Sequence, residues 1–121
     1  MLDWPIMRTV TLQEPISIQE LRKMAAERFG DLVKAVVDVE RGVMVVDAEL
    51  HSDQEAELLA GGSLQQNLWG INLYPDLLEE EWLEFDSLIN LRPSSGNRTR
   101  GVDQPATRDR IRTLVRRLVL R

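Results

Sequence analysis

The single histidine, His51, lies in the run His51-Ser52-Asp53-Gln54-Glu55, where an imidazole and two carboxylates at alternate positions could ligate zinc or manganese or move a proton near neutral pH. Geometry argues against this use. The pattern Ser52-x-x-Glu55 predicts a capping box, so a helix starting there would fan the three groups around its first turn and commit Glu55 to backbone N–H groups. No metal or cofactor is therefore assigned; His51 and Asp86 are the residues of suitable type if a metal binds. A second set is the polar strip Glu84, Asp86, Asn90 and Arg92, at spacings that bring side chains out on one side of a strand, where they could meet Asn72 and Tyr74 across a neighbouring strand. Two carboxylates there could act as acid and base or hold a divalent cation in a cleft. The same alternation is also the ordinary outer face of a one-sided antiparallel sheet.

The third set is the loop from Arg92 through Ser94, Ser95, Asn97, Arg98 and Arg100 to Gly101, whose guanidinium groups, hydroxyls and loop N–H groups have the chemistry of an anion site. Arg108 and Arg112 on the following helix extend it. It is not a nucleotide P-loop, because the Gly-Lys-Ser/Thr ending is missing. The alternative is a solvated loop whose Asn and Arg groups tie a strand to the terminal helix. Trp4, Trp69 and Trp82 could stack on bases, yet Trp69 sits in an apolar alternation and Trp82 follows Glu79-Glu80-Glu81, which would repel phosphate. No Gly-x-Ser-x-Gly, His-Glu-x-x-His or Gly-x-Gly-x-x-Gly occurs, so the common hydrolase and dinucleotide-binding constellations lack their parts.

The chain that must position these groups has 121 residues, 43% hydrophobic and 29% charged, a balance that suits one compact domain. It has no cysteine, so disulfides, thiolate metal sites and cysteine nucleophiles are excluded. The first residues, Met1 to Arg8, hold an acid, a proline and no sustained apolar run, which reads as no signal peptide; with no apolar stretch near about 20 residues, a cytoplasmic protein away from the membrane is expected. Net charge is −5, unevenly placed: residues 1–91 carry 6 basic and 18 acidic side chains, residues 92–121 nine arginines with only Asp103 and Asp109. A basic arm of this kind meets something acidic, either the chain's own first 91 residues, a second copy or another protein. A nucleic-acid module more often shows a basic domain as a whole.

Residues 1–15 read as a lead, with Met7 to Leu12 as an edge strand, and 16–121 as a single domain. Ser17-x-x-Glu20 is a capping box that opens a helix with Leu21, Ala25 and Phe29 on one face and Gly30 at its end. Val33–Val39 and Val43–Ala48 form a hairpin about Glu40-Arg41-Gly42. A short helix then buries Ala56, Leu58 or Leu59 and stops at Gly61-Gly62. Leu68–Tyr74 and Trp82–Arg92 read as half-buried strands, the first with Trp69, Ile71 and Leu73 on one face, the second with Leu83, Phe85, Ile89 and Leu91. From about Pro105 an amphipathic helix carries Ile111, Leu114, Val115 and Leu118 as its apolar stripe. The fold class expected is α+β, a mostly antiparallel sheet of about four strands with helices on one face.

Four ordered strings, Lys34-Ala35-Val36-Val37-Asp38-Val39-Glu40-Arg41-Gly42, Glu49-Leu50-His51-Ser52-Asp53, Leu68-Trp69-Gly70-Ile71-Asn72-Leu73-Tyr74-Pro75 and Phe85-Asp86-Ser87-Leu88-Ile89-Asn90-Leu91-Arg92-Pro93, followed by Gly96-Asn97-Arg98 and the terminal helix, carry a resemblance. Over about residues 33–115 the chain resembles a family of small bacterial proteins catalogued only as a domain of unknown function. The resemblance implies a bacterial, soluble protein and supplies no activity, cofactor or catalytic residue. The leading expectation is a small non-catalytic interaction protein, a homodimer or the partner of an acidic protein surface, using residues 92–121. A nucleic-acid or phosphate-ligand module is the second reading and a small metal-dependent enzyme the third.

Overall fold

A computed structural model describes residues 7–121. The readings that fall on residues 1–6, the absent leader and Trp4 as a stacking ring, lie outside the described residues.

The elements run β1 (Arg8–Val10), β2 (Ile16–Ser17), α1 (Ile18–Glu27), β3 (Val33–Asp38), β4 (Val43–Val46), α2 (His51–Ala60), β5 (Leu68–Leu73), β6 (Leu83–Glu84), α3 (Pro105–Leu118) and β7 (Val119–Leu120). The α+β class and the antiparallel sheet are as expected, with five strands in the order β1-β4-β3-β5-β6. The β-branched runs Val33–Asp38 and Val43–Val46 pair with Val37 opposite Met44, and the loop between them turns on Gly42, whose φ of 69° suits a residue without Cβ. Buried Asp38 fixes that loop: one carboxylate oxygen accepts the N–H groups of Glu40 and Arg41, both at 2.9 Å, and the other accepts the Ser63 hydroxyl at 2.6 Å. A parallel pair, β2 with β7, fastens the end of α3 beside the start of α1. Among the described residues no helix is long and apolar enough to cross a membrane.

The main core lies on one face of the sheet. There Ala35, Val37, Met44, Val46, Ile71 and Leu73 meet Leu21 and Ala25 of α1 and Ile111, Val115 and Leu118 of α3. Fully burying each large aliphatic side chain contributes about 1.5–3 kcal/mol relative to exposure. The expected single helical face holds for α1 and α3 and fails for α2, which covers the opposite face through Leu58 on Val36, Val45 and Leu68. The reason is in the central strands: apolar residues at consecutive positions of β3 and β4 bury both faces, so both need a cover.

The Ser17–Glu20 capping box forms as predicted, Ser17 Oγ accepting the Glu20 N–H at 3.1 Å and the Glu20 carboxylate the Ser17 N–H at 2.9 Å. Those bonds and the Arg8 guanidinium hold the Glu20 carboxyl below its ordinary pKa. Phe29, expected on the buried face, lies past the helix end and is exposed, with the Lys34 ammonium 5.3 Å above its ring. The second box does not form: the N-cap lies two residues before Ser52, at Leu50, with α2 starting at His51 and no side-chain cap. Inward-facing positions of α2 are His51, Gln54 and Leu58, leaving Ala56 and Leu59 exposed.

The largest departure is Trp82–Arg92. Only Leu83–Glu84 is strand; the chain then crosses over β5 and makes a 3-10 turn at Leu88–Asn90. Ser87 packs on Gly70, where a Cβ would sit 2.5 Å from the Ser87 Cβ. Asn90, expected to point outward, is fully buried and replaces a strand partner: its carboxamide accepts the Gly70 N–H at 2.8 Å and donates to the Gly70 carbonyl at 3.0 Å. Leu91, expected inside, is exposed in consequence.

Candidate functional site

The loop after this turn is held by side chains that the sequence offered as anion ligands. Arg92 and Asn97 exchange backbone hydrogen bonds at 2.9 and 3.1 Å around a 3-10 turn at Pro93–Ser95, and Gly96 reverses the chain with φ of 91°. The Asn97 carboxamide, 5% exposed, donates to the carbonyls of Asn90 at 2.8 Å, Gly101 at 2.8 Å and Thr99 at 3.1 Å, while its oxygen accepts the Asp103 N–H at 2.8 Å. Asp103 closes the other side, accepting the Thr99 hydroxyl and the Arg98 N–H, and both bonds, the hydroxyl first, hold its carboxyl below the ordinary range.

The guanidinium groups are similarly engaged. Arg92 donates to the carbonyls of Gln65 at 2.6 Å and Leu68 at 2.9 Å and stacks 4.2 Å from the Trp69 ring centroid. Burial lowers its pKa, though an arginine stays charged. Arg100 pairs with Asp86 at 2.8 Å, Arg108 donates to the carbonyls of Val102 and Asp103, and Arg112 pairs with Asp109 at 3.2 Å beside the Phe85 ring. Ser94, Ser95 and Arg98 are exposed. The arrangement ties β5 to α3, leaving the Arg98 side chain as the guanidinium of this loop with no hydrogen-bond or ion-pair partner among the described residues.

Of the polar strip, the structure brings Glu84 and the Asp86 backbone together with Asn72 and Tyr74. Asn72 lies opposite Glu84 in the β5–β6 register and donates to its carboxylate at 2.9 Å and to the Asp86 carbonyl at 3.3 Å. Tyr74 donates to the same Glu84 oxygen at 3.1 Å; burial and that carboxylate push the phenol pKa up. Asn90 is absent from this group, as its place over Gly70 requires. His51 lies nearby, its Nε2 2.8 Å from the Ile71 carbonyl; because a carbonyl only accepts, Nε2 carries the hydrogen. Burial lowers the imidazole pKa, against the raising effect of that carbonyl, and Asp86, Lys34 and Arg100 are close enough to act on it with opposing signs. The ring is neutral at pH 7. Asp53 lies on the exposed side of α2, and among the described residues no three His, Asp or Glu side chains gather as a metal site. Gln54, which the sequence reading passed over, is fully buried and donates to the Lys34 carbonyl at 2.7 Å; no spacing rule marks a glutamine for that task.

What remains available is on the surface of α3. Among the described residues, two of the nine arginines of 92–121 pair with carboxylates of residues 7–91, Arg100 with Asp86 and Arg110 with Glu40. Arg116 and Arg117 are exposed without a hydrogen-bond or ion-pair partner among the described residues. Arg121 lies 4.6 Å from the Trp82 ring centroid. A groove of about 560 Å³ runs between α3 and the 78–83 segment, with Asp109, Arg112, Arg116 and the following Arg121 on one side and Leu78, Glu79, Glu80 and Trp82 on the other. A second, of about 400 Å³, follows the other flank beside Arg110, Arg117 and Leu114. A third, of about 530 Å³, lies between α2 and the 47–49 connection that follows β4, with Arg28 and Met7 also in its lining.

The sequence profile of a family of proteins of unknown function, DUF5674, matches residues 10–118. No curated protein and no solved structure matches the chain.

Proposed function

The chain belongs to this family of proteins of unknown function, and from its geometry we propose that it is a non-catalytic interaction module presenting the outward face of α3 to an acidic protein surface. The observation that carries the reading is the adjacent pair Arg116 and Arg117, unpartnered within the described residues and set between two grooves. Exposed ion pairs contribute only about 0–1 kcal/mol each, so charge alone would give register and encounter rate more than affinity. The Leu78 and Trp82 side chains in the larger groove add apolar area of the kind that anchors interfaces. Its acidic wall, Glu79 and Glu80, favours a protein partner over nucleic acid, because a phosphate backbone is charged along its whole length, whereas a protein can set carboxylates against the arginines and apolar groups against that wall.

Fluorescence anisotropy with a labelled peptide of alternating Glu and Leu, run beside a mixed-sequence DNA duplex, tests this. The peptide should bind at low salt, and Arg116→Glu with Arg117→Glu should weaken it about tenfold or more, two charge contacts near 1 kcal/mol each being lost or reversed. Duplex binding with a steep salt slope and no peptide binding would move the nucleic-acid reading into its place.

A further inference from the structure

We infer that the acidic surface recognised by α3 is the groove between α2 and the 47–49 connection on a second copy of this chain, so that copies associate head to tail. This rests on the interaction reading above and names its partner. The groove is lined by apolar Met7, Ala48, Ala56 and Ala60, and it carries Glu49, Asp53 and Glu57. The cation in its lining, Arg28, is already held by Asp47 at 2.9 Å and reaches Glu49 at 3.7 Å. Asp53 and Glu57 are exposed and have no ion-pair partner among the described residues.

The two surfaces fit in sign. Asp53 and Glu57 are four residues apart, so they share one side of α2 about 6 Å apart along its axis, with Ala56 and Ala60 beside them. On α3 the arginines that meet them are Arg116 and Arg117, adjacent in its last turn and unpartnered among the described residues; Arg110, about 10 Å away along the axis, is held by Glu40 of its own chain. Alanines at the contact let a second helix approach to the near end of the usual 8–10 Å separation.

Their placement fixes the symmetry. α3 lies on one face of the sheet and α2 on the other, so a molecule offers its basic stripe and its acidic groove in opposite directions. A two-fold dimer needs both contacts on one side. The contact is therefore heterologous: each one formed leaves a free stripe at one end and a free groove at the other.

Light scattering on the full chain at rising concentration, in low and high salt, tests the inference with two neutralised variants, Arg116→Gln/Arg117→Gln and Asp53→Asn/Glu57→Gln. The wild type should grow beyond a dimer at low salt and return to monomer at high salt, and each variant alone should stay monomeric. An equimolar mixture of the two variants should stop at a one-to-one pair, since only one intact stripe and one intact groove remain. A salt-stable dimer overturns the inference, as does association that survives in the groove variant. If the wild type stays monomeric but binds the acidic peptide through Arg116 and Arg117, the groove assignment fails and the interaction reading stands. If neither occurs, both fail.

Discussion

Replacing Asn90 with Ala removes the side chain that takes the place of a neighbouring strand along β5. Three bonds are lost: the Gly70 N–H at 2.8 Å, the Gly70 carbonyl at 3.0 Å and the Arg100 carbonyl at 2.9 Å. Gly70 is buried, so its two backbone groups are left without partners, at about 1–3 kcal/mol each; the Arg100 carbonyl keeps the Ser87 N–H at 2.9 Å, and loss of its second bond costs little. The expected loss is about 3 kcal/mol, a large share of the roughly 5–15 kcal/mol of a small domain. Urea unfolding followed by tryptophan fluorescence should show the midpoint falling by about 1–2 M with an unchanged slope. Asn90→Asp separates the donor from the acceptor role: the Gly70 N–H keeps its acceptor, while a carboxylate oxygen now faces two carbonyls. That variant should be destabilised at neutral pH and recover as acid protonates the new group, which can then donate. A loss under about 1 kcal/mol for Asn90→Ala would mean that the 85–91 segment does not lie over β5.

Gly70→Ala should cost about 1–3 kcal/mol because its Cβ meets Ser87, and adding Ser87→Gly should recover most of that; additive losses in the double mutant would deny the contact. His51 has its pKa lowered in the fold, so the unfolded chain binds the extra proton first: stability present above about pH 6.5 is lost as pH falls below it, and His51→Gln should flatten that part of the profile. The same slope in the variant would assign it elsewhere. Ser17→Ala should cost about 1 kcal/mol through loss of the capping box, measured by thermal unfolding; an unchanged Tm would show the box idle in solution.

Where side chains act through regular periodicity, the sequence was readable. The Ser17–Glu20 box, the hairpin closing on Gly42, the Trp69, Ile71 and Leu73 face of β5 and the apolar stripe of α3 all appear as expected, because caps, positive φ and 2.0 or 3.6 periods leave local signatures. Trp82–Arg92 misled for a physical reason: alternation shows which side chains differ, not whether the polar ones face water or a neighbouring backbone. Asn90 does the latter, and its partner Gly70 is 20 residues away. α2 was misplaced because its inward face is His51, Gln54 and Leu58, a mostly polar set that shows little hydrophobic asymmetry. At the candidate site the sequence grouped the arginines of 92–112 as ligands, yet a guanidinium directed at a carbonyl and one directed at solvent have the same letter. Arg92 and Arg108 prove internal, and the free pair, Arg116 and Arg117, lay in the run that the charge asymmetry had marked.

The most direct measurement is a map of backbone amide shifts as the acidic Glu-Leu peptide is titrated into the labelled protein at low and high salt. Binding at α3 should move the amides of about 109–121 and of the 78–83 segment lining the larger groove, and salt should reverse both together. Shifts confined to residues 92–101, or to the cluster around His51, Asn72 and Asp86, with α3 unmoved, would place recognition elsewhere and remove the basis for an α3 interaction surface.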